Sequence, residues 1–267
     1  MKQENYIITG GQLGKSRLNL LSTILEDHTK RFLNFNSDHE GISFLDLGCG
    51  GGNVSRMVAE MIGVQGKVEA VDFDSEMIDL NNQDLQKSGL LNTTFKCKSA
   101  YEIDNKEEFD VTYSRFLLSH LEFPEEALKK MVEATKVGGK VYVEDINFDA
   151  SFCHPTNEDF YSYVRLYISA AMTNKHNPQV GIILFDMFNK LGLVNIKINI
   201  IQPCYNDGIG KWMAHLTLDR IKNTVIKQNL INENDFCSVL DGIKSFTENP
   251  HTIISLPRIF QVVGEKK

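Results

Sequence analysis

The sequence predicts an α/β protein built on a mostly parallel sheet. Short apolar runs alternate with amphipathic helical stretches from residue 42 to residue 145, the pattern of consecutive βαβ units. The 267 residues, 42% hydrophobic and 24% charged, match an ordinary globular chain long enough for a sizeable core. No apolar run approaches the ~20 residues needed to cross a bilayer.

The elements follow in order. Leu18, Leu21, Ile24 and Leu25 share one face at i, i+3, i+4 spacing, so the first 40 residues are read as helical. Residues 42–47 form a buried strand ending in glycines. A helix over 53–62, a strand at 67–72 and a helix over 75–88, N-capped by Ser75, come next. Strands at 93–98 and 109–114 precede a helix over 124–135. Val137-Gly138-Gly139 reads as a turn before a fifth strand at 140–145. The rhythm then changes to a helix over 159–174, a helix over 180–191, a strand at 193–202, helical residues 207–250 and a final strand at 258–263. The chain therefore divides into an N-terminal helical segment (1–40), a core (41–146), a helical insertion (147–178), the core continued (179–204), a second insertion (205–250) and a last core strand (251–267). Both insertions and the N-terminal helix are expected to form a lid over the carboxyl edge of the sheet, where open α/β sheets bind ligands.

Composition narrows the function. A net charge of −7 without a basic stripe argues against a nucleic-acid partner. The five cysteines, at 49, 97, 153, 204 and 237, form no CxxC pair and no close Cys/His cluster, so neither a disulfide framework nor a metal site is expected. The opening residues MKQENYIITGG lack the apolar centre of a secretory leader, and a reducing cytoplasm with no membrane partner is the expected setting.

The sharpest motif is Leu45-Asp46-Leu47-Gly48-Cys49-Gly50-Gly51-Gly52, a strand-to-helix turn. Glycines let backbone approach a ligand closely, and the helix that follows offers unpaired N–H groups. A dinucleotide fingerprint would place glycine at 53, where Asn53 stands. Asp46, two residues before the first glycine, suits a ligand bearing an ammonium group. Asp72 ends the next strand as an acceptor pair for a ribose diol.

Together, LDLGCGGG, VEAVDFDSEMI, FDVTYSRFLLSHL and ATKVGGKVYVED stand in the order and spacing of the class I S-adenosylmethionine-dependent methyltransferases, and residues 40–145 resemble that family. The segment Tyr6–Leu18 resembles, more loosely, the N-terminal stretch of its small-molecule members. The resemblance implies a Rossmann-like seven-stranded sheet with the last strand antiparallel. It also implies that Asp46, Gly48, Cys49 and Gly50 cradle the methionine part of S-adenosylmethionine. Asp72 would hold the ribose, Phe73 and Met77 would line the adenine pocket, and Ser99 and Ala100 would border the adenine amino group. Ser99 stands where the family usually has Asp. Ser114 and Arg115 would line the methionine moiety.

Methyl transfer needs a nucleophile held in line with the sulfonium, and a base only when that nucleophile carries a proton. His120 is the candidate base; the alternative is a histidine that caps its own turn. Glu144 and Asp145 end the fifth strand, as substrate contacts or as fixers of a loop. Phe160, Tyr163 and Tyr167 share a helical face, to line an acceptor pocket or to fill the core. Arg17 either grips the cofactor carboxylate or is a solvated helix charge. The leading function is methylation of a small organic acceptor. The competitors are a nicotinamide-dependent oxidoreductase, a non-catalytic cofactor-binding protein, and an enzyme for a carboxylated cofactor with Arg115 as the extra cation.

Overall fold

A computed structural model describes residues 11–36 and 39–267, with the side chains of residues 14–36 and 39–267. Residues 6–10 of the N-terminal motif lie outside the described residues. In chain order the elements are α1 (Gly11–Leu33), β1 (Ser43–Leu47), α2 (Asn53–Met61), β2 (Lys67–Asp72), α3 (Ser75–Ser88), β3 (Thr93–Cys97), β4 (Phe109–Arg115), α4 (Pro124–Ala134) and β5 (Thr135–Asn147). There follow β6 (Cys153–His154), α5 (Glu158–Thr173), α6 (Leu184–Lys190), β7 (Val194–Ile201), β8 (Cys204–Tyr205), α7 (Gly208–Lys211), α8 (Met213–Lys227), α9 (Glu233–Glu248), β9 (Ile253–Ser255) and β10 (Arg258–Glu265).

Seven strands form one sheet in the order β3-β2-β1-β4-β5-β10-β7. The pairs among β1 to β5 are parallel, and β10 runs antiparallel to both of its neighbours. The last strand is thus the antiparallel one, slotted inside the sheet. Strand alternation sorts the side chains. Phe44, Val68, Val111, Tyr113 and Tyr142 face α1 and α2, whereas Leu45, Leu47, Val71, Phe109, Val141 and Val143 face α4 and α6. Phe32 of α1 meets Tyr142 edge-on at 5.2 Å. A third cluster holds α5, α8 and α9 together and reaches Leu25, Ile146 and Ile259.

Four details depart from the sequence reading. The N-cap of α3 is Asp74, whose carboxylate accepts from the Met77 N–H at 3.1 Å, and Ser75 is the first helical residue. Residues 137–139 belong to β5. Gly138 takes φ 78° there, while Gly138 N–H donates to Lys266 O and Lys266 N–H to Gly139 O, so the C-terminal segment keeps the glycines in a ladder. Residues 180–183 form a 3₁₀ turn ahead of α6. A second, three-stranded sheet, β6-β9-β8, stitches residues 153–154, 204–205 and 253–255 together. Among the described residues no helix is long and apolar enough to cross a membrane.

Candidate active site

Asp46, Asp72, Tyr113, Arg115 and Glu144 project from one face of the sheet because each is an even step from its strand's core residues. They sit near the carboxyl ends of their strands. The glycine turn leaves β1 there and bends under φ of +75° at Gly48 and +49° at Gly50. A Cβ on Gly48 would lie 2.8 Å from Leu117 Cδ1, and one on Gly50 would lie 3.3 Å from Leu18 Cδ1. Two polar ties fix the turn. Gly50 N–H donates to Asp72 Oδ2 at 2.8 Å, and Asn81 Nδ2 donates to Gly50 O at 2.7 Å.

Above this turn lies a cleft of about 1530 Å³, its open mouth included. Its walls include Arg17, Asp46, Gly48, Cys49, Gly50, Asp72, Met77, Arg115, His120, Tyr163 and Tyr167. Eleven of the sixteen residues singled out in the sequence are therefore brought together. The floor is acidic. Burial pushes the Asp46 carboxyl up to about 6, against the Ser55 hydroxyl that donates to it at 2.6 Å and the nearby Arg115 charge. Asp72 is raised too, chiefly by burial, although the Asp74 and Gly50 N–H groups favour its charged form. Two desolvated carboxyls on a glycine cradle favour a cationic ligand. Burial drives the Cys49 thiol upward, so it stays protonated and is no nucleophile.

The opposite wall comes from the insertions. Phe148 stacks on Tyr167 at 3.7 Å between ring centroids and meets Tyr163 edge-on at 5.6 Å. Arg17 reaches across from α1 to Thr217 of α8, its Nε and Nη2 donating to Oγ1 at 3.3 and 3.1 Å. His120 ends a 3₁₀ turn that Asp145 pins by accepting from the Ser119 N–H at 3.2 Å. Burial pushes the His120 imidazole down to about 3, with the His176 ring and Arg17 adding to the effect. It is a neutral side chain near neutral pH, well below the ordinary 6.5 expected of a poised base.

Five residues fall elsewhere. Phe73 and Ala100 line a separate depression of about 160 Å³ that shares Gly48 and Asp72 with the main cleft. Ser99 caps the turn at 100–102, accepting from the Tyr101 N–H at 3.2 Å. Ser114 is fully buried, and it points to the face opposite Tyr113 and Arg115. Glu144 does not line the cleft. It is fully buried, and its oxygens accept from Tyr113 Oη at 2.6 Å and from Thr29 Oγ1 and Gln261 Nε2 at 2.8 Å each. Arg115 Nη1 in turn donates to Thr29 Oγ1 at 3.1 Å, so Glu144 orients the arginine from behind.

Sequence reasoning passed over Tyr113, Ser55, Asn81, Phe148 and Thr217. Tyr113 carried a signal, since it stands two residues before Arg115 on the same strand face. Ser55 and Thr217 sit on helices whose facing is set by packing, and nothing local marks them.

The methyltransferase domain family model matches residues 38–191, more than half of the chain. An uncharacterized methyltransferase of Schizosaccharomyces pombe is 28% identical over 189 residues, covering 66% of this chain and 66% of that protein. Phosphoethanolamine N-methyltransferase 2 of Caenorhabditis elegans is 24% identical, over 72% of this chain and 41% of that protein. The chain thus spans less than two thirds of the length of each relative. Among solved structures, the YcgJ protein of Bacillus subtilis matches with a TM-score of 0.59 at 16% identity, covering 89% of this chain and 96% of that one. Haemonchus contortus phosphoethanolamine N-methyltransferase 2, solved with phosphomonomethylethanolamine and S-adenosylhomocysteine, matches with a TM-score of 0.55 at 18% identity, covering 98% and 55%. With that model matching more than half of the chain, the chain belongs to the class I S-adenosylmethionine-dependent methyltransferases.

Proposed function

We propose that the protein moves a methyl group from S-adenosylmethionine to a small organic acceptor by in-line displacement. The observation that carries this is one cleft with two unlike ends. The Asp46–Gly50 cradle with Asp72 fits a cationic amino acid joined to a ribose, and Phe148, Tyr163 and Tyr167 give the same cleft an aromatic wall. The relatives named for phosphoethanolamine N-methylation support a small acceptor.

When bound, the cofactor supplies an electrophilic methyl group on a sulfonium. The chain supplies position and shelter. Asp46 pairs with the ammonium, Asp72 accepts from the ribose hydroxyls, and Gly48 to Gly50 hold the backbone close. The insertion helices exclude water. His120, neutral and enclosed, accepts a hydrogen bond from the acceptor's O–H or N–H and turns its lone pair toward the methyl. It orients the acceptor first and takes a proton only as charge develops. Cys49 takes no part.

A thermal-shift comparison tests the reading. S-adenosylmethionine and S-adenosylhomocysteine at ~100 times their Kd should stabilise the protein by roughly 2.7 kcal/mol, a shift of several degrees, and NADH should not. A shift with NADH alone would transfer the cleft to the nicotinamide alternative. With cofactor binding established, transfer of labelled methyl to a panel of small acceptors tests turnover, and no transfer to any of them favours the binding-protein alternative.

A further inference from the structure

One charge lining the cleft has no counter-ion among the described residues. Arg17 is half-buried in the cleft wall, and two of the five N–H donors of its guanidinium serve Thr217. A hydroxyl neutralises none of the positive charge. Among the described residues no carboxylate forms an ion pair with Arg17. Its electrostatic neighbours are the phenols of Tyr163 and Tyr167 and a second cation, Arg220, which is itself matched by Asp219 at 3.3 Å. Lys15 on the same helix, by contrast, meets Asp84 at 2.8 Å. A partly desolvated cation that faces a cleft with donors to spare is placed to meet an anion carried by a ligand.

The position of Arg17 says which ligand. Leu18 and Asn19 of α1 touch the glycine turn, whereas Arg17 turns toward α8 and the tyrosines of α5. The cofactor end already has a cation, since Arg115 is the charge that acts on Asp46. We propose that Arg17 recognises an oxyanion, a carboxylate or a phosphate, carried by the methyl acceptor. This rests on the methyl-transfer reading of the cleft. The planar guanidinium suits bidentate pairing with either group, and the neutral phenols of Tyr163 and Tyr167 add donors beside it. The Phe148–Tyr167 stack gives the acceptor's body a flat apolar wall.

The test uses benzoate, phenyl phosphate and the neutral isostere benzamide, titrated calorimetrically into the free enzyme and into enzyme loaded with S-adenosylhomocysteine. Wild type, Arg17→Gln and Arg17→Lys are compared. At least one anion is expected to bind ~10-fold or more tightly than benzamide. Arg17→Gln should erase that preference, Arg17→Lys should restore part of it, and both should bind S-adenosylhomocysteine within ~3-fold of wild type. Which anion wins identifies the source of the oxyanion. Three probes that bind alike, or not at all, overturn the proposal, as does a preference that survives in Arg17→Gln. A ~10-fold loss of S-adenosylhomocysteine affinity in Arg17→Gln also overturns it, because the guanidinium would then hold the cofactor's own carboxylate. Should wild type fail to bind S-adenosylhomocysteine, the methyl-transfer reading falls, and the free-enzyme titrations still decide the role of Arg17. If Arg17→Gln does not fold, Thr217→Val, which frees the guanidinium from its anchor, should weaken anion binding and spare the cofactor.

Discussion

Replacing Asp46 with Asn should stabilise the ligand-free protein and abolish cofactor binding. Burial raises this carboxyl from 3.8 to about 6. At ~1.36 kcal/mol per pH unit, the charged form costs the folded state roughly 3 kcal/mol at neutral pH. The sign follows from proton counts. Between about pH 4 and about pH 6 the folded chain holds a proton on Asp46 that the unfolded chain has released. The residue's contribution is therefore most favourable below the unfolded value and declines as pH rises through about 6. Asn carries no charge and still accepts the Ser55 hydroxyl, which donates at 2.6 Å in the native protein. The gain should be roughly 3 kcal/mol at about pH 7, near half that at about pH 5, and absent by about pH 3. At about pH 7 it corresponds to a rise in Tm of roughly 6 °C or more. Thermal and denaturant unfolding of both ligand-free proteins across this range, with calorimetric titration of S-adenosylhomocysteine, reads both halves. A variant no more stable at about pH 7, or a gain that does not shrink on acidification, would refute the electrostatic account of Asp46.

Other outcomes are expected elsewhere. Asp72→Ala should weaken S-adenosylhomocysteine binding by ~100-fold or more, since two ribose hydrogen bonds to a carboxylate disappear and Gly50 N–H loses its acceptor; affinity by calorimetry decides it. Gly48→Ala should destabilise the protein by about 1–3 kcal/mol, because a left-handed φ of +75° and a Cβ 2.8 Å from Leu117 Cδ1 both oppose it; the urea midpoint is the readout. Glu144→Gln should cost about 2 kcal/mol or more by chemical denaturation, since its amide group faces donors rather than acceptors. His120, held down to about 3, should show no imidazole titration between about pH 5 and about pH 8 in the free protein; an NMR midpoint near 6.5 would remove it from its enclosed position.

The glycine-turn end of the cleft was legible because its signals are local. Asp46, Gly48, Gly50 and Asp72 each announce a strand end or a turn through neighbours within a few residues. Glu144 misled for the opposite reason. Its place at a strand end is local, but Thr29, Tyr113 and Gln261, which consume its oxygens, come from α1, β4 and β10. Ser75 lost the N-cap to Asp74 because two adjacent residues both favour that role, and the geometry of the preceding loop decides between them. The strands β6, β8 and β9 are two or three residues long and carry no period to read. Arg17 was visible as a cation, and only the packing of α8 against α1 gives it Thr217 and the tyrosines as company.

The slot occupied by β10 has a consequence for how the chain is made. During vectorial synthesis β5 and β7 leave the ribosome first, each with one backbone edge directed at a place that remains vacant until residues 258–265 emerge. Unpaired edges of this kind are adhesive. A nascent chain stalled after β7 has emerged and before residues 258–265 follow therefore exposes two such edges at once. Fusions that displace residues 258–265 recreate that stalled state permanently and should accumulate as aggregate, however intact the glycine turn elsewhere in the sheet.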